Sequence, residues 1–231
     1  MEIPKHIALI PDGNRRWARG RGLPPWHGHW KAEKVIDNFL NWCLEYNIHQ
    51  ISIWIGSTEN LAERPKREVA ELYKLYMKLL EEWGSKKSVI DKYEVKVRFI
   101  GDLNKLPPKM VKLMGKIMQR TAKYQKKLLN ILVNYGGKFE LVEVFKKLAN
   151  QVIKAGKIEI RERDIENNLL VKTPVDLVVR TGGYNRLSNF MLWQSSYAEI
   201  YTTKTLLPDF NKEEFVKALE WYSSIKRNFG A

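Results

Sequence analysis

Short β-branched runs alternate along this chain with longer stretches in which apolar residues recur every three or four positions, and few folds accept that alternation. The strand-like runs are His6–Ile10, Gln50–Ile55, Val95–Ile100, Leu128–Val133 and Val175–Arg180, with a sixth near Ile200–Thr203. Between them, Val35, Ile36, Phe39, Leu40 and Cys43 share one helical face, as do Val69, Leu72, Tyr73, Tyr76, Leu79 and Leu80. Met110, Leu113, Met114 and Ile117 form another such face, followed by Leu141, Val142, Phe145, Leu148 and Val152. Phe215, Leu219, Tyr222 and Ile225 form the last, with Asn211 placed to cap it ahead of Glu213 and Glu214. Strands that alternate with helices predict an α/β fold, a central, mostly parallel sheet of about six strands flanked by helices. The chain has 231 residues and is 44% hydrophobic, enough for one substantial core. It shows no internal repeat, low-complexity tract or linker, so residues 1–231 read as a single domain, with 156–168 as a loop-rich connection.

Polar residues gather where the strands end. The first strand runs into Asp12-Gly13-Asn14, the second into Gly56-Ser57-Thr58-Glu59-Asn60, and the third into Gly101-Asp102. The fourth ends in Asn134-Tyr135-Gly136-Gly137 and the fifth in Arg180-Thr181-Gly182-Gly183. In a parallel sheet these ends share one edge, where open α/β folds bind ligands.

Two of these clusters hold what a diphosphate needs. Asp12-Gly13-Asn14-Arg15-Arg16 passes from strand to helix, where free amides and the helix dipole suit phosphate. Asp12 can hold Mg²⁺, an ion commonly bound by one or two carboxylates plus phosphate oxygens. Arg16 can pair with phosphate through two hydrogen bonds, although Asp12 as a simple helix cap and solvated arginines fit the same residues. Arg180, Arg186 and Ser188 set two arginines six residues apart beside a hydroxyl, a good diphosphate clamp. Ser57, Thr58, Glu59, Asn60 and Arg64 read either as an ordinary helix start or as further site residues. Gly28-His29 lies just before the second helix, and a histidine there can shuttle protons or simply cap. Glu199 is a candidate second metal ligand or a surface carboxylate.

The rest of the sequence narrows the class. The formal net charge is +14, which suits anionic partners without choosing among them. No nucleic-acid-binding motif accompanies it. Lys109, Lys112, Lys116, Arg120, Lys123 and Lys127 form a basic stripe at helical spacing, either a solvated face or a peripheral contact with an anionic membrane. Cys43 is the single cysteine, which excludes an intrachain disulfide and a cysteine metal cluster. No apolar run approaches the length of a membrane span, and the first residues lack a signal-peptide core, so a cytoplasmic protein is expected. The P-loop and dinucleotide fingerprints, the G-x-S-x-G elbow and any Asp-Asp pair are absent.

The residues His6–Ala18, Gly28-His29, Ser57–Asn60, Ile100-Gly101-Asp102, Asn134–Gly137, Val175–Gln194, Tyr197–Tyr201 and Arg227–Gly230 together resemble the cis-prenyltransferases, typified by undecaprenyl diphosphate synthase. The resemblance covers nearly the whole chain. It implies a Mg²⁺-dependent homodimeric enzyme that adds isopentenyl diphosphate to an allylic diphosphate and feeds the growing chain into an apolar tunnel. By similarity, Asp12 and Glu199 serve the metal. Gly13, Asn14, Arg15 and Arg16 cradle the allylic diphosphate, with Trp17 and His29 near it. Arg180, Arg186, Leu187 and Ser188 belong to the isopentenyl diphosphate site, and Ser57, Thr58, Glu59, Asn60, Leu61 and Arg64 line the reacting centre. Asn60 or the diphosphate itself accepts the proton. The Arg227–Gly230 segment is expected to reach the partner's site.

The sequence departs from that pattern in places. Pro25 stands where the family has an arginine, leaving Arg15 or Arg21 to compensate. Arg15 replaces a common glycine, Leu61 an aromatic and Tyr184 an acidic residue, and one residue is inserted before Arg64. Bulky Ile55, with Tyr73 and Tyr76 on the helix expected to wall the tunnel, points to a medium-length polyprenyl diphosphate, a lipid-carrier precursor. The lysine-rich composition leans toward an archaeal-type enzyme primed by geranylgeranyl diphosphate, with farnesyl diphosphate as the other primer. A noncatalytic polyprenyl-binding subunit and a short-chain or branched-product synthase are the alternatives on the same fold.

Overall fold

The structure is a computed structural model that describes residues 1–85, 89–156 and 159–226. Strand β1 (His6–Ile10) leads through helices α1 (Asn14–Arg19) and α2 (Trp26–Glu45) to β2 (Gln50–Ser57). Helices α3 (Thr58–Glu63), α4 (Lys66–Gly84) and α5 (Val89–Lys92) precede β3 (Val95–Ile100). Helix α6 (Pro108–Thr121) joins β3 to β4 (Lys127–Tyr135), and α7 (Gly137–Ala155) and α8 (Glu162–Asn168) lead to β5 (Leu177–Arg180). Strand β6 (Glu199–Thr202) and helix α9 (Lys212–Ser224) complete the chain.

The strands form one six-stranded sheet in the order β3-β4-β2-β1-β5-β6. Every pairing is parallel. Strand alternation divides the core into two layers. Ile7 and Leu9 join Phe39, Ile53, Leu80 and Phe215 on one face, whereas Ala8 and Ile10 join Trp54, Tyr135 and Phe190 on the other. The α2 stripe predicted from spacing is the one buried, from Val35 to Cys43. Asn211 caps α9 as its position predicts, its side chain accepting from the Glu214 amide at 3.0 Å.

Several local expectations need correction. The 156–168 stretch contains helix α8, whose first turn is fixed by Asp164 accepting from the Arg161 amide at 2.9 Å. Gly28 and His29 lie within α2 rather than before it, because the helix starts directly after Pro25. The basic stripe lies on α6 for the exposed Lys109, Lys112 and Lys116, but it does not continue as a free cationic face to Lys127. Arg120 is tied to Asp91 and to the Trp83 carbonyl, and Lys127 lies on β4 with its amine 2.9 Å from the Asn47 carbonyl oxygen. The Arg227–Gly230 segment lies outside the described residues.

Strands β1 and β5 are neighbours, yet the chain leaves β1 toward β2 and leaves β5 toward β6. A crevice outside the C-terminal ends of such strands is the usual ligand position in an open α/β sheet.

Candidate active site

The turns after β1 and β5 are stapled together by Thr181. Its hydroxyl accepts from the Asp12 amide at 2.9 Å and donates to the Asp12 carbonyl at 2.7 Å. The staple brings the two arginine-rich clusters into contact. Arg180 donates to Asp12 Oδ2 at 2.7 Å, and Arg16 donates to Oδ1 at 3.3 Å. Arg180 also donates to the Ser188 hydroxyl at 2.8 Å and to the Arg186 carbonyl. Gly182, at φ +86°, makes this packing possible, since a Cβ there would lie 2.5 Å from Arg16 Nη2.

Helix α1 lies directly against α2, and Gly28 marks their closest approach. A Cβ on Gly28 would meet the Asn14 carbonyl oxygen at 1.9 Å. This contact sets Asn14 and Arg15 beside His29, one residue farther along α2.

The turn after β2 supplies a third wall. Ser57 caps α3 by accepting from the Asn60 amide at 2.9 Å. Asn60 Oδ1 then accepts from Arg64 Nη2 at 3.2 Å, while Arg64 Nη1 lies 3.3 Å from His29 Nε2. Burial, reinforced by the charges of Arg64 and Arg15, depresses the His29 pKa to about 3. His29 is therefore neutral at pH 7, with Nε2 placed to accept from Arg64. Glu59 is hydrogen-bonded by Asn189 at 2.9 Å. Burial alone would raise the pKa of that carboxyl, but hydrogen bonds from its own amide, Ser57, Asn189 and Thr58 outweigh burial and hold it low.

These walls enclose a cavity of about 490 Å³ with two chemically different ends. Asp12, Asn14, Arg15, Arg64, Arg180 and Ser188 line one end, and Leu79, Leu80, Trp83, Phe99, Met114 and Ile131 the other. The Nε atoms of Arg15, Arg64 and Arg180 are buried without hydrogen-bond partners among the described residues. Buried donors of this kind are costly unless a ligand meets them, and cations at a cavity mouth select an anion. Asp12 is the carboxylate that joins Arg16 and Arg180 at this end, which fits a Mg²⁺ ion held by one carboxylate and by ligand phosphate oxygens.

Not every expected residue faces this cavity. Ser57, Glu59, Asn60, Arg64 and His29 line it, whereas Gly13, Arg16, Trp17, Thr58, Leu61, Arg186 and Leu187 do not. Trp17 instead donates from its indole to Asp209 at 2.8 Å, anchoring α1 from behind. Leu187 packs against the Phe190 layer of the core. Arg16 and Arg186 flank the rim, where both stack on Tyr184. Glu199 is not part of the cluster. It is level with Leu177 in the sheet, while Thr202 is level with Arg180, so about 10 Å of strand separates Glu199 from that end. Asp12 and Glu199 of one chain cannot share an ion. Of the two arginines available to offset Pro25, Arg15 lines the cavity, whereas Arg21 stacks on Trp17 at 4.1 Å. Tyr76 lines the cavity and Tyr73 does not.

One residue of the site was missed from sequence. Glu68 is buried, with Oε1 3.4 Å from Arg15 Nε and 3.5 Å from Arg64 Nη1. Its spacing four residues after Arg64 was the available signal.

The family described as putative undecaprenyl diphosphate synthase matches residues 10–230. An isoprenyl transferase of Aquifex pyrophilus is 40% identical over 100% of this chain and 97% of its own length. A Pyrococcus horikoshii protein, a geranylgeranyl-diphosphate-specific tritrans,polycis-undecaprenyl-diphosphate synthase, is 38% identical over 99% of this chain and 87% of its own. Among solved structures, lavandulyl diphosphate synthase from Lavandula x intermedia, in complex with dimethylallyl diphosphate, superposes with a TM-score of 0.91 at 30% identity, covering 99% of both chains. A probable undecaprenyl diphosphate synthase from Campylobacter jejuni gives a TM-score of 0.81 at 32% identity, covering 100% of both. A cationic mouth above an apolar cavity, on this sheet and with these relatives across its whole length, places the chain in the undecaprenyl diphosphate synthase family, the cis-prenyltransferases.

Proposed function

We propose that this protein is a Mg²⁺-dependent cis-prenyltransferase that condenses isopentenyl diphosphate with an allylic diphosphate to give a medium-length polyprenyl diphosphate. The observation that carries this reading is the two-ended cavity, with the guanidinium groups of Arg15, Arg64 and Arg180 at its mouth, the Nε donors of Arg64 and Arg180 unpartnered among the described residues, and an aliphatic and aromatic inner end. The mouth matches a diphosphate and the inner end matches an isoprenoid chain.

Asp12 holds the ion, which when bound neutralises charge on the leaving diphosphate. The amides of Gly13 and Asn14, with Arg15 and Arg16, receive the allylic diphosphate. Arg180, Arg186 and Ser188 receive isopentenyl diphosphate. The allylic C–O bond breaks and the diphosphate leaves with its electron pair. The isopentenyl double bond then forms the new C–C bond, and a proton is lost from the carbon beside it. Asn60 Oδ1 already accepts from Arg64, and an amide oxygen engaged by a cation is a poor base. The departing diphosphate therefore takes the proton, and Asn60 orients Arg64. Each C5 unit drawn into the apolar end contributes up to about 4 kcal/mol, at roughly 0.8 kcal/mol per carbon.

The reading includes a homodimer. Helix α7 turns Val142, Phe145 and Ile153 outward in one stripe, 49%, 55% and 77% exposed respectively, as an interface helix does. A cytoplasmic site of action is in keeping with the one cysteine, Cys43, a buried free thiol. Incubation with labelled isopentenyl diphosphate, Mg²⁺ and either geranylgeranyl or farnesyl diphosphate tests the function. A labelled polyprenyl ladder, longer and more abundant from geranylgeranyl diphosphate, is expected. No labelled lipid from either primer would refute the reading.

A further inference from the structure

Three arginines surround one aromatic ring at the rim of the site. The Arg186 guanidinium carbon lies 4.1 Å from the Tyr184 ring centroid, Arg16 4.6 Å and Arg180 5.8 Å. The backbone aims the ring there. Gly182 and Gly183 both have positive φ, and their amides donate to the Thr205 and Thr203 carbonyls at 2.8 Å. That pinned turn delivers Tyr184 over the arginines.

The three cations are not equally neutralised. Asp12 pairs with Arg16 and Arg180, whereas Arg186 forms no salt bridge among the described residues. Its side chain is held by the ring face. A carboxylate would hold a guanidinium by occupying its N–H groups and cancelling its charge. A ring face attracts the same cation through its quadrupole and leaves the N–H edge free for phosphate oxygens. The Tyr184 hydroxyl makes no hydrogen bond among the described residues, so the ring is the working part.

We infer that Tyr184 is a positioning residue that orders Arg186 for the incoming diphosphate while keeping its donors available. This rests on the assignment of Arg186 to isopentenyl diphosphate given above. The effect falls on capture of the substrate, so it appears in KM rather than in the chemical step.

The test compares wild type with Tyr184→Ala, Tyr184→Phe, Tyr184→Glu and Arg186→Ala, by steady-state kinetics and by calorimetric titration with inorganic pyrophosphate. Tyr184→Ala is expected to raise the KM for isopentenyl diphosphate about three- to tenfold with kcat within about twofold. Tyr184→Phe should match wild type, and Tyr184→Glu should weaken binding more than Tyr184→Ala. Pyrophosphate affinity should follow the same order. An unchanged KM in Tyr184→Ala beside a raised KM in Arg186→Ala overturns the role of Tyr184 alone. Unchanged values in both variants overturn the assignment of Arg186 as well. A Tyr184→Phe variant as weak as Tyr184→Ala would assign the effect to the hydroxyl and overturn the ring argument.

Discussion

Toward the N-terminal end of the sheet, His6 Nδ1 lies 2.8 Å from the Pro174 carbonyl oxygen and His6 Nε2 2.8 Å from the Ser52 hydroxyl, which also accepts from Asn130 at 3.1 Å. At the C-terminal end, Arg15, Arg64 and Arg180 each keep a buried Nε without a hydrogen-bond partner among the described residues. The unpartnered atoms of the first region are neutral amide atoms, Asn130 Oδ1 and Gln50 Nε2, whereas those of the second include the guanidinium nitrogens of Arg64 and Arg180 beside Asn14 Oδ1 and the Glu68 carboxylate. Both regions bury polar side chains, but only the second leaves charged donors waiting beside a cavity. The first uses its hydrogen bonds within the fold, and the second leaves donors that suit an anion.

That contrast breaks if variants at the two ends behave alike. The largest effect is expected for Arg180→Ala, which removes a cavity-lining cation and a partner of Asp12. Its kcat/KM should fall about 10²–10³-fold in steady-state assays, the scale of losing one preorganised charge donor. A loss below about tenfold would erase the distinction. Ser52→Ala should do the reverse. Removing the hydroxyl that serves His6 and Asn130 should cost about 1–3 kcal/mol in urea denaturation, with KM unchanged.

A smaller effect separates His6 and His29 by pH. The His6 pKa is depressed to about 4, chiefly by burial, and that of His29 to about 3. Both stay neutral in the folded chain while the unfolded chain takes up protons below about pH 6.5. Stability from each is thus fully present above pH 6.5 and is lost as pH falls toward the folded pKa, by about 1.4 kcal/mol per pH unit. Denaturation between pH 6.5 and 5 should show His29→Gln losing that much slope relative to wild type, with the His6 contribution intact. Equal slopes would mean that His29 is charged in the fold.

The finest comparison lies within the cavity. Trp83→Ala should lengthen the product by at least one C5 unit, whereas Tyr73→Ala should leave the distribution unchanged, because Trp83 lines the inner end and Tyr73 does not. Chromatography of the dephosphorylated products decides between them.

Much of this was legible in the chain because it depends on local periodicity. All six strands and the buried α2 face follow from residue spacing, as does the Asn211 cap. Helix α8 was not, because its seven residues are mostly polar and its start depends on a single Asp164 contact. The two arginine clusters announced themselves, but their meeting through Thr181 depends on β1 pairing with β5. Glu199 shows the converse. Its motif neighbours suggested a metal ligand, and strand register put it at the far end. The Tyr184 rosette was hidden for a similar reason, since Arg16 joins it from α1, some 170 residues away in sequence.

The central claim is that the cationic mouth and Asp12 form one ion-assisted diphosphate site. Its most direct test is labelled isopentenyl diphosphate incorporation by wild type and Asp12→Ala, each with Mg²⁺ and with the ion chelated. The prediction is polyprenyl product from wild type with Mg²⁺ and a fall of at least about 10²-fold both on chelation and in Asp12→Ala. Undiminished incorporation by folded Asp12→Ala, or by chelated wild type, would contradict it.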